Sequence, residues 1–212
     1  KMLNNEFTVK TVSILGVTGT IGDSTLKILS DNPNKYRIVS IIAQTNYRKL
    51  AQIANIFKPK VIAIESKELY PKLKELILDK NITILAGKNG VLEAASHEVD
   101  ITISAITGIN GLLPTIEAIK SSKLIGLANK ESMVCAGNLI NKLAKNHNTI
   151  IIPLDSEHNS IFRTFDFDNA NSISRIILTA SGGPFLNNSV NELENITPKQ
   201  ALKHPTWNMG PK

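Results

Sequence analysis

The sequence is poor in cysteine and in long apolar runs, and each shortage excludes a class of protein. Its single cysteine, Cys135, cannot form an intrachain disulfide, so a fold stabilised by disulfide bonds is excluded. A chain without disulfides indicates a reducing compartment. We expect Cys135 to be a small, buried, apolar residue. No apolar run is long enough to span a bilayer, and the N-terminus lacks the apolar core of a signal peptide, so we expect no membrane partner.

Aromatic residues are also scarce, at 5% of the 212 residues, although the chain is basic with a formal net charge of +6. Nucleic-acid-binding proteins combine clustered positive charge with recognisable motifs. Here the lysines are scattered along the sequence and no such motif is present, so we expect no nucleic-acid partner. An anionic small molecule or simply a lysine-rich surface explains the charge.

The sequence does contain a regular alternation of apolar strands and helices, which predicts an α/β fold with a mostly parallel sheet and helices on both faces. The predicted strands cover residues 12–15, 38–43, 61–64, 82–85, 101–105, 124–128 and 149–154. The predicted helices cover residues 24–29, 48–57, 69–78, 90–96, 112–120 and 139–145.

The alternation ends near residue 150, where we place a boundary between two domains, 1–150 and 151–212. A short helical start then leads into an irregular stretch over residues 162–171, and a strand is predicted over residues 173–180. Another helix is predicted to begin at Thr197 and to stop by His204. We therefore expect the second domain to be the start of an α+β domain.

A glycine-rich turn, Gly16-Val17-Thr18-Gly19-Thr20-Ile21-Gly22, lies between the first predicted strand and the first helix. In a Rossmann-type dinucleotide-binding domain, glycines at this place allow a tight turn, close approach to a pyrophosphate and close packing of helix on strand. The N–H groups at the helix start also favour phosphate. We therefore predict that Thr18, Gly19, Thr20 and Ile21 bind a cofactor, with a purely structural turn as the alternative.

The end of the second predicted strand discriminates between the two nicotinamide cofactors. An NAD site usually places Asp or Glu about 20 residues further on, where it binds the ribose 2′-hydroxyl. This chain has no acid there and instead carries Thr45, Asn46, Arg48 and Lys49. Hydroxyl, amide and guanidinium donors favour the 2′-phosphate of NADP. The alternative is that Arg48 and Lys49 are solvated helix residues.

An acidic segment, Asp155-Ser156-Glu157, follows the last apolar strand. In extended backbone, residues two apart point to the same side, so the two carboxylates would share a small volume and attract Mg²⁺ or Mn²⁺. The alternative is a helix N-terminus, with Asp155 or Ser156 as the cap and Glu157 in the first turn. The residue types alone leave both interpretations open.

Four segments together resemble the family of 1-deoxy-D-xylulose 5-phosphate reductoisomerases. They are GVTGTIGDSTL (16–26), GLLPTIEAIKSSKLIGLANKESMVCAG (111–137), PLDSEHNSIF (153–162) and the stretch from LTASGGPF to HPTWNMGPK (178–212). The resemblance implies an NADPH-dependent and divalent-metal-dependent enzyme of non-mevalonate isoprenoid biosynthesis. Such an enzyme isomerises and reduces 1-deoxy-D-xylulose 5-phosphate to 2-C-methyl-D-erythritol 4-phosphate. It also implies a homodimer, in a bacterial cytoplasm or in a plastid-type organelle if a transit peptide has been removed.

The resemblance further implies roles for single residues within the matching segments. The implied catalytic residues are Lys130, Asp155, Glu157 and His204; the implied substrate contacts are Lys130, Ser156, Glu157, Ser181, His204 and Trp207; the implied metal ligands are Asp155 and Glu157; and Asn129 and Glu131 are implied further cofactor contacts. Composition alone would instead suggest a solvated Lys130, a helix-end His204 and a core Trp207.

The chain departs from the family pattern in two places. Val17 stands where the family usually has Ser, and we expect little effect because backbone N–H groups do most of the binding in such a turn. Beyond the stretch that ends at Lys212, the family pattern continues to a Glu that is the third metal ligand and to a helical C-terminal domain. The alternative to an active enzyme is therefore a fragment that binds NADPH without turnover.

Overall fold

The computed structural model describes residues 8–180 and 182–205, and it has the predicted α/β architecture. Its strands are β1 (Lys10–Leu15), β2 (Tyr36–Ala43), β3 (Val61–Ile64), β4 (Thr83–Ala86), β5 (Val99–Ser104), β6 (Ser122–Leu127) and β7 (Ile150–Pro153). Its helices are α1 (Thr20–Ser30), α2 (Tyr47–Phe57), α3 (Tyr70–Leu76), α4 (Gly87–Ala95), α5 (Leu112–Ser121), α6 (Lys130–His147), α7 (Ser156–Thr164), α8 (Val190–Leu193) and α9 (Pro198–Ala201).

The strands form one parallel sheet in the order β4-β3-β2-β1-β5-β6-β7. The chain moves outward from β1 to β4 on one side and then returns to the centre, where β5 pairs with β1. Ligands of open α/β sheets bind at such a reversal of strand order, beyond the carboxyl ends of the strands. The topology therefore predicts a ligand site at the loops that follow β1 and β5.

Both faces of the sheet are buried, as near-continuous apolar strands require in a parallel sheet. Successive residues of β1 point to opposite faces, so Ile14 enters the cluster that includes Leu50 of α2, whereas Leu15 enters the cluster that includes Ile140 of α6. Ile14, Leu15, Leu50 and Ile140 are all fully buried. This two-sided packing fixes the strand ends on which the site is built.

A polar clamp joins the amino ends of three central strands, at the edge opposite the carboxyl ends. Asp100 of β5 accepts hydrogen bonds at Oδ2 from the Thr11 N–H (2.9 Å) and the Thr11 hydroxyl (3.0 Å), both on β1. Its other oxygen lies 2.8 Å from Lys123 Nζ on β6. The bond from Lys123, followed by that from the Thr11 N–H, lowers the pKa of Asp100 to about 2.

We expect this clamp to make stability fall in acid. The folded pKa of Asp100 is about 2 and the ordinary value is 3.8, so the stabilisation is complete above pH about 4 and is lost as the pH falls towards 2. Allowing for the exposed Lys123 ammonium, Asp100→Asn should cost about 1 to 2 kcal/mol at neutral pH. Urea unfolding of both proteins at a series of pH values measures this.

The control for that prediction is Glu117→Gln, which breaks the ion pair of Glu117 with Lys120 on the surface of α5. Exposed pairs of this kind contribute little, so its effect should be smaller than that of Asp100→Asn. An Asp100→Asn effect that stays constant between neutral pH and pH 2 would contradict the role of ionised Asp100.

The chain divides into two units, one ending at Asp155 and the other beginning at Ser156. The predicted boundary at residue 150 precedes β7, which pairs with β6 and so belongs with the sheet. Among the described residues, no helix has both the length and the apolar character needed to cross a membrane.

Three local predictions differ from the structure. Residues 173–180 form no strand, because the described part of the second unit offers no strand beside them, and an unpaired strand leaves its backbone groups without partners. The helix predicted over residues 139–145 is present, but further helical turns precede it from Lys130, where Asn129 caps α6, and the two parts meet at a kink at Ala136 (φ −144°, ψ 28°). Cys135 is exposed rather than buried, because α6 turns Ile140, not Cys135, towards the core.

The helix predicted at Thr197 is confirmed. The Thr197 side chain and Gln200 form a reciprocal capping box, with Pro198 at the first helical position. The helix ends at Ala201, before His204 as predicted.

Candidate functional site

The glycine turn lies at the reversal of strand order, between the end of β1 and the start of α1. Gly16 has a φ of +84°, and a Cβ there would lie 2.6 Å from the carbonyl oxygen of Ala105, just after β5. Only glycine satisfies both conditions. The turn after β1 therefore packs directly on the loop after β5.

The other two glycines differ in what surrounds them. Gly22 is buried in α1, and a Cβ there would lie 2.1 Å from the carbonyl oxygen of Val17, so Gly22 allows α1 to pack on the turn. Gly19 is exposed with a φ of −90°, and a Cβ there would meet only Gly16 O at 3.5 Å. Gly19 thus leaves open space in front of the helix start.

The start of α1 offers N–H groups to a ligand. Gly19 is the N-cap of α1, and none of the described side chains caps this end. Thr18, Gly19, Thr20 and Ile21, the predicted cofactor contacts, all lie in this turn. N–H groups at a helix start, together with the helix dipole, favour a pyrophosphate.

Val17 contributes to the turn through its backbone. Its side chain is fully buried in the core, and its N–H donates to Ile42 O at 2.9 Å. A side chain that points into the core does not face a ligand in the crevice. The geometry thus agrees with the expectation that valine in place of serine has little effect here.

Lys49 holds the glycine turn rather than pointing into solvent. Its Nζ donates to Thr18 O at 3.0 Å and pairs with Asp23 of α1 at 2.7 Å. The alternative that Lys49 is merely a solvated helix residue is therefore wrong, and its charge is already matched by Asp23.

The three residues predicted to bind the 2′-phosphate follow β2, beside the glycine turn. Thr45 is exposed at this edge. Asn46 is the N-cap of α2, where its Oδ1 accepts from Lys49 N at 3.1 Å. The guanidinium carbon of Arg48 lies 5.5 Å from the centre of the Tyr47 ring. Thr45 and Arg48 thus keep exposed donors beside the crevice, whereas the carbonyl of Asn46 is already used.

Two neighbouring cavities open along the carboxyl edge of the sheet. The apolar cavity, of about 270 Å³, lies among the end of β2, the loop after β5 and helices α4 and α5, with Ile42, Val91, Ile106 and Leu112 in its wall. The polar cavity lies at the ends of β2, β3 and β4. Gln44, Glu65 and Lys88 line both cavities.

Asn129 ties the turn before α6 to the loop after β5. Its side chain is buried, and its Nδ2 donates to Ile106 O (2.6 Å) and Gly108 O (2.8 Å). Its Oδ1 accepts from the N–H and the hydroxyl of Ser132. Asn129 therefore positions this turn, and a direct contact between its side chain and a cofactor stays a prediction.

Lys130 and Glu131 form the first turn of α6, directly after Asn129. Lys130 is exposed, and Glu131 is half-buried with Oε2 3.4 Å from Asn129 Nδ2. Both side chains thus start from the edge of the sheet that carries the glycine turn. Their predicted contacts with substrate and cofactor stay predictions.

The acidic segment is not extended as predicted. Asp155 directly precedes α7, Ser156 begins this helix and Glu157 lies in its first turn. The argument that residues two apart share one side of an extended strand is therefore wrong here, and the helix N-terminus that we weighed as the alternative is the observed structure. Among the described residues, no cluster of three or more His, Cys, Asp or Glu could hold a metal ion.

The remaining predicted substrate contacts lie in the second unit. His204 follows α9 and is half-buried. Ser181 and Trp207 lie outside the described residues. Gly182 and Gly183 have φ values of +78° and +66°, a left-handed backbone conformation that favours glycine.

Sequence reasoning missed the loop after β5. Ala105 and Ile106 carry no chemical signal, and they matter because Gly16 and Asn129 contact their backbone. The rule that ligands bind at the reversal of strand order could have found this loop once β5 was placed beside β1.

The fold and the glycine turn define a Rossmann-type dinucleotide-binding domain. A model of the 1-deoxy-D-xylulose 5-phosphate reductoisomerase family matches residues 12–137, and a model of that enzyme's C-terminal domain matches residues 151–212. The chain belongs to the 1-deoxy-D-xylulose 5-phosphate reductoisomerase family.

Individual relatives agree with the family models. The reductoisomerase of Acinetobacter baumannii is 43% identical over 96% of this chain and 54% of its own length. That of Wolbachia pipientis subsp. Culex pipiens is 47% identical over 96% of this chain and 52% of its own length. The chain thus spans about half the length of these curated relatives.

Solved structures show the same fold. The Zymomonas mobilis reductoisomerase in complex with NADPH is 40% identical, with a TM-score of 0.87 over 92% of this chain and 51% of that one. A reductoisomerase in complex with NADPH, fosmidomycin and magnesium gives a TM-score of 0.84 at 40% identity, over 95% of this chain and 52% of that one.

Proposed function

We propose that the protein converts 1-deoxy-D-xylulose 5-phosphate, NADPH and a proton to 2-C-methyl-D-erythritol 4-phosphate and NADP⁺, with Mg²⁺ or Mn²⁺ as the second cofactor. In this proposal the unit that ends at Asp155 binds NADPH, and the unit that begins at Ser156 is the start of the catalytic domain. The observation that carries the proposal is the glycine turn, packed against the loop after β5 in a member of this family.

The geometry of the first unit fits a dinucleotide. The pyrophosphate would meet the N–H groups at the start of α1, in the space that Gly19 leaves open, whereas the N–H of Gly19 itself already donates to Gly16 O at 3.1 Å. The adenine ring would enter the apolar cavity beside β2, which is lined mainly by aliphatic side chains. NADPH, when bound, supplies the hydride that reduces the rearranged substrate.

The metal would be held by Asp155 and Glu157, whose carboxylates are the hard oxygen donors that Mg²⁺ and Mn²⁺ take. A divalent ion there polarises neighbouring carbonyl and hydroxyl oxygens of the sugar. Lys130 would hold a positive charge against a substrate oxygen that gains negative charge during the rearrangement. The resemblance of the segment 153–162 to the family carries this assignment, because the extended-strand argument for the pair does not hold.

The substrate in this proposal is a small phosphorylated keto-sugar. Ser156, Ser181, His204 and Trp207 would contact it, as the family resemblance implies. A homodimer is proposed on the same ground.

A second candidate is that this 212-residue chain, taken alone, is an NADPH-binding module without turnover. The observation that favours this candidate is that the described residues form no cluster of three His, Cys, Asp or Glu side chains that could hold a metal ion.

Calorimetric binding of NADPH and oxidation of NADPH with substrate and Mn²⁺ separate these candidates. We expect the 212-residue chain to bind NADPH without turnover, and a version extended by the C-terminal half of the Acinetobacter baumannii relative to turn over. Turnover by the 212-residue chain itself would refute the binding-module candidate. Failure of the extended version to oxidise NADPH, although it binds NADPH, would refute the proposed reaction.

A further inference from the structure

The polar cavity at the ends of β2, β3 and β4 holds two lysines that neither the glycine turn nor the acidic segment involves. We propose that Lys88 and Lys67 bind the 2′-phosphate of NADPH and thereby set the preference for NADPH over NADH. The proposal rests on NADPH binding as proposed above, and adds the residues that recognise its extra phosphate.

The first support is the continuity of the two cavities. Gln44, Glu65 and Lys88 line both of them, so they lie at the junction. An adenine ring in the apolar cavity brings the ribose to this junction, because the ribose is bonded directly to the ring. The 2′-oxygen and its phosphate then face the polar cavity, which Thr45, Lys67 and Lys88 line.

The second support concerns the partners of the charged side chains that line the polar cavity. Within residues 8–180 and 182–205, no ion pair involves Lys67 or Lys88. The carboxylate of Glu68, in contrast, accepts from the Ser66 hydroxyl at 2.7 Å, and this bond lowers its pKa. The charge of Lys67 contributes to this lowering of the pKa, so Lys67 already acts partly on Glu68, and Glu65 adds a second carboxylate to the lining. Lys88 is therefore the lysine of the cavity whose charge is the more available to a phosphate.

The third support is that Lys49, which contacts the glycine turn, already has a carboxylate partner. Lys49 pairs with Asp23 at 2.7 Å, and the Asn46 side chain accepts from Lys49 N. Arg48 lies over the Tyr47 ring. Of the residues that follow β2, Gln44 and Thr45 line the polar cavity, and neutral side chains alone do not balance a dianionic phosphate.

Lys67 is also held in position by the backbone of the next loop. Gly87 has a φ of +77°, and a Cβ there would lie 2.3 Å from Lys67 Cε. The Lys67 stem therefore runs over Gly87, next to Lys88 at the start of α4. Two lysines in the lining of one cavity provide the positive charge that a phosphate group requires.

The test measures dissociation constants of NADPH and NADH by calorimetry for the unaltered chain and for Lys88→Ala, Lys67→Ala and the double variant. A hydrogen bond to a charged group corresponds to about 10-fold or more in affinity, so each single variant should weaken NADPH binding by about 10-fold. The double variant should approach the affinity for NADH, whose binding should change by less than about twofold. Lys88→Arg should retain the preference for NADPH, because it keeps the charge.

The matched control is Lys145→Ala, which removes an exposed lysine near the C-terminal end of α6 and should leave both affinities unchanged. Equal weakening of NADPH and NADH by Lys88→Ala, or loss of the preference in Arg48→Ala but not in the lysine variants, would overturn the inference alone. An unaltered chain that does not bind NADPH would overturn the proposed function and the inference together.

Discussion

Gly22→Ala should destabilise the first unit by about 3 kcal/mol. If this loss unfolds the unit, NADPH binding should be lost with it. The added Cβ would lie 2.1 Å from Val17 O and 2.5 Å from Val17 C. These are backbone atoms that cannot move aside, because Val17 N donates to Ile42 O and the Val17 side chain is buried. Helix α1 must therefore shift away from the turn. Urea unfolding of the unaltered and variant chains measures the loss.

Gly19→Ala is the matched control, because it adds the same methyl group three residues earlier. Its φ of −90° suits alanine, and the added Cβ would meet only Gly16 O at 3.5 Å. Stability should fall by less than about 1 kcal/mol, the effect of alanine at an N-cap. NADPH affinity should fall by about 10-fold or more, because the methyl group enters the space proposed for the pyrophosphate. A stable Gly22→Ala variant, or unchanged NADPH affinity in Gly19→Ala, would contradict this assignment of roles.

The contrast between these glycines shows what local sequence predicts. A glycine pattern between a strand and a helix indicates a βα turn, because the backbone conformations of such a turn are determined locally. Which glycine is needed for packing and which for a ligand depends on what lies opposite. Gly16 faces Ala105 from β5, a residue 89 positions away, and no local rule connects the two.

The strands were predictable because parallel strands, buried on both faces, appear as short apolar runs. Residues 61–64 are fully buried and form β3 at the predicted bounds. The start of α6 was missed because its first turns carry Lys130, Glu131 and Cys135 rather than a clear apolar stripe. Asn129 was the available signal, since its side chain caps the helix by accepting from Ser132 N.

Strand order is what sequence reasoning could not supply. Lys67 and Lys88 follow different strands and share a cavity because β3 and β4 lie side by side at the edge of the sheet. The segment 173–180 is the converse case, because the sequence predicts an element there that the structure does not form. Its apolar, β-branched composition predicts a strand, but a strand forms only beside a partner, and the described part of its unit contains none.

Asn129→Asp should cost about 3 kcal/mol at neutral pH, although the two side chains have nearly the same shape. The amide nitrogen donates to Ile106 O and Gly108 O, whereas a carboxylate oxygen would repel both carbonyl groups. The other oxygen would still accept from Ser132 N, so the cap of α6 is kept. The expected loss of stability therefore measures the contribution of the two hydrogen bonds that the Asn129 amide donates, and not that of the helix cap.

The pH dependence of this variant separates the carbonyl contacts from a general packing defect. Burial and the facing carbonyl oxygens would raise the pKa of the new carboxyl above its unfolded value, so the destabilisation should be complete above the folded pKa. It should shrink as the pH falls towards the unfolded value of about 4, because the protonated carboxyl donates to one carbonyl again. Ser132→Ala, which keeps both donated bonds of Asn129, should show no such pH dependence. A pH-independent loss in Asn129→Asp would refute the proposed contacts.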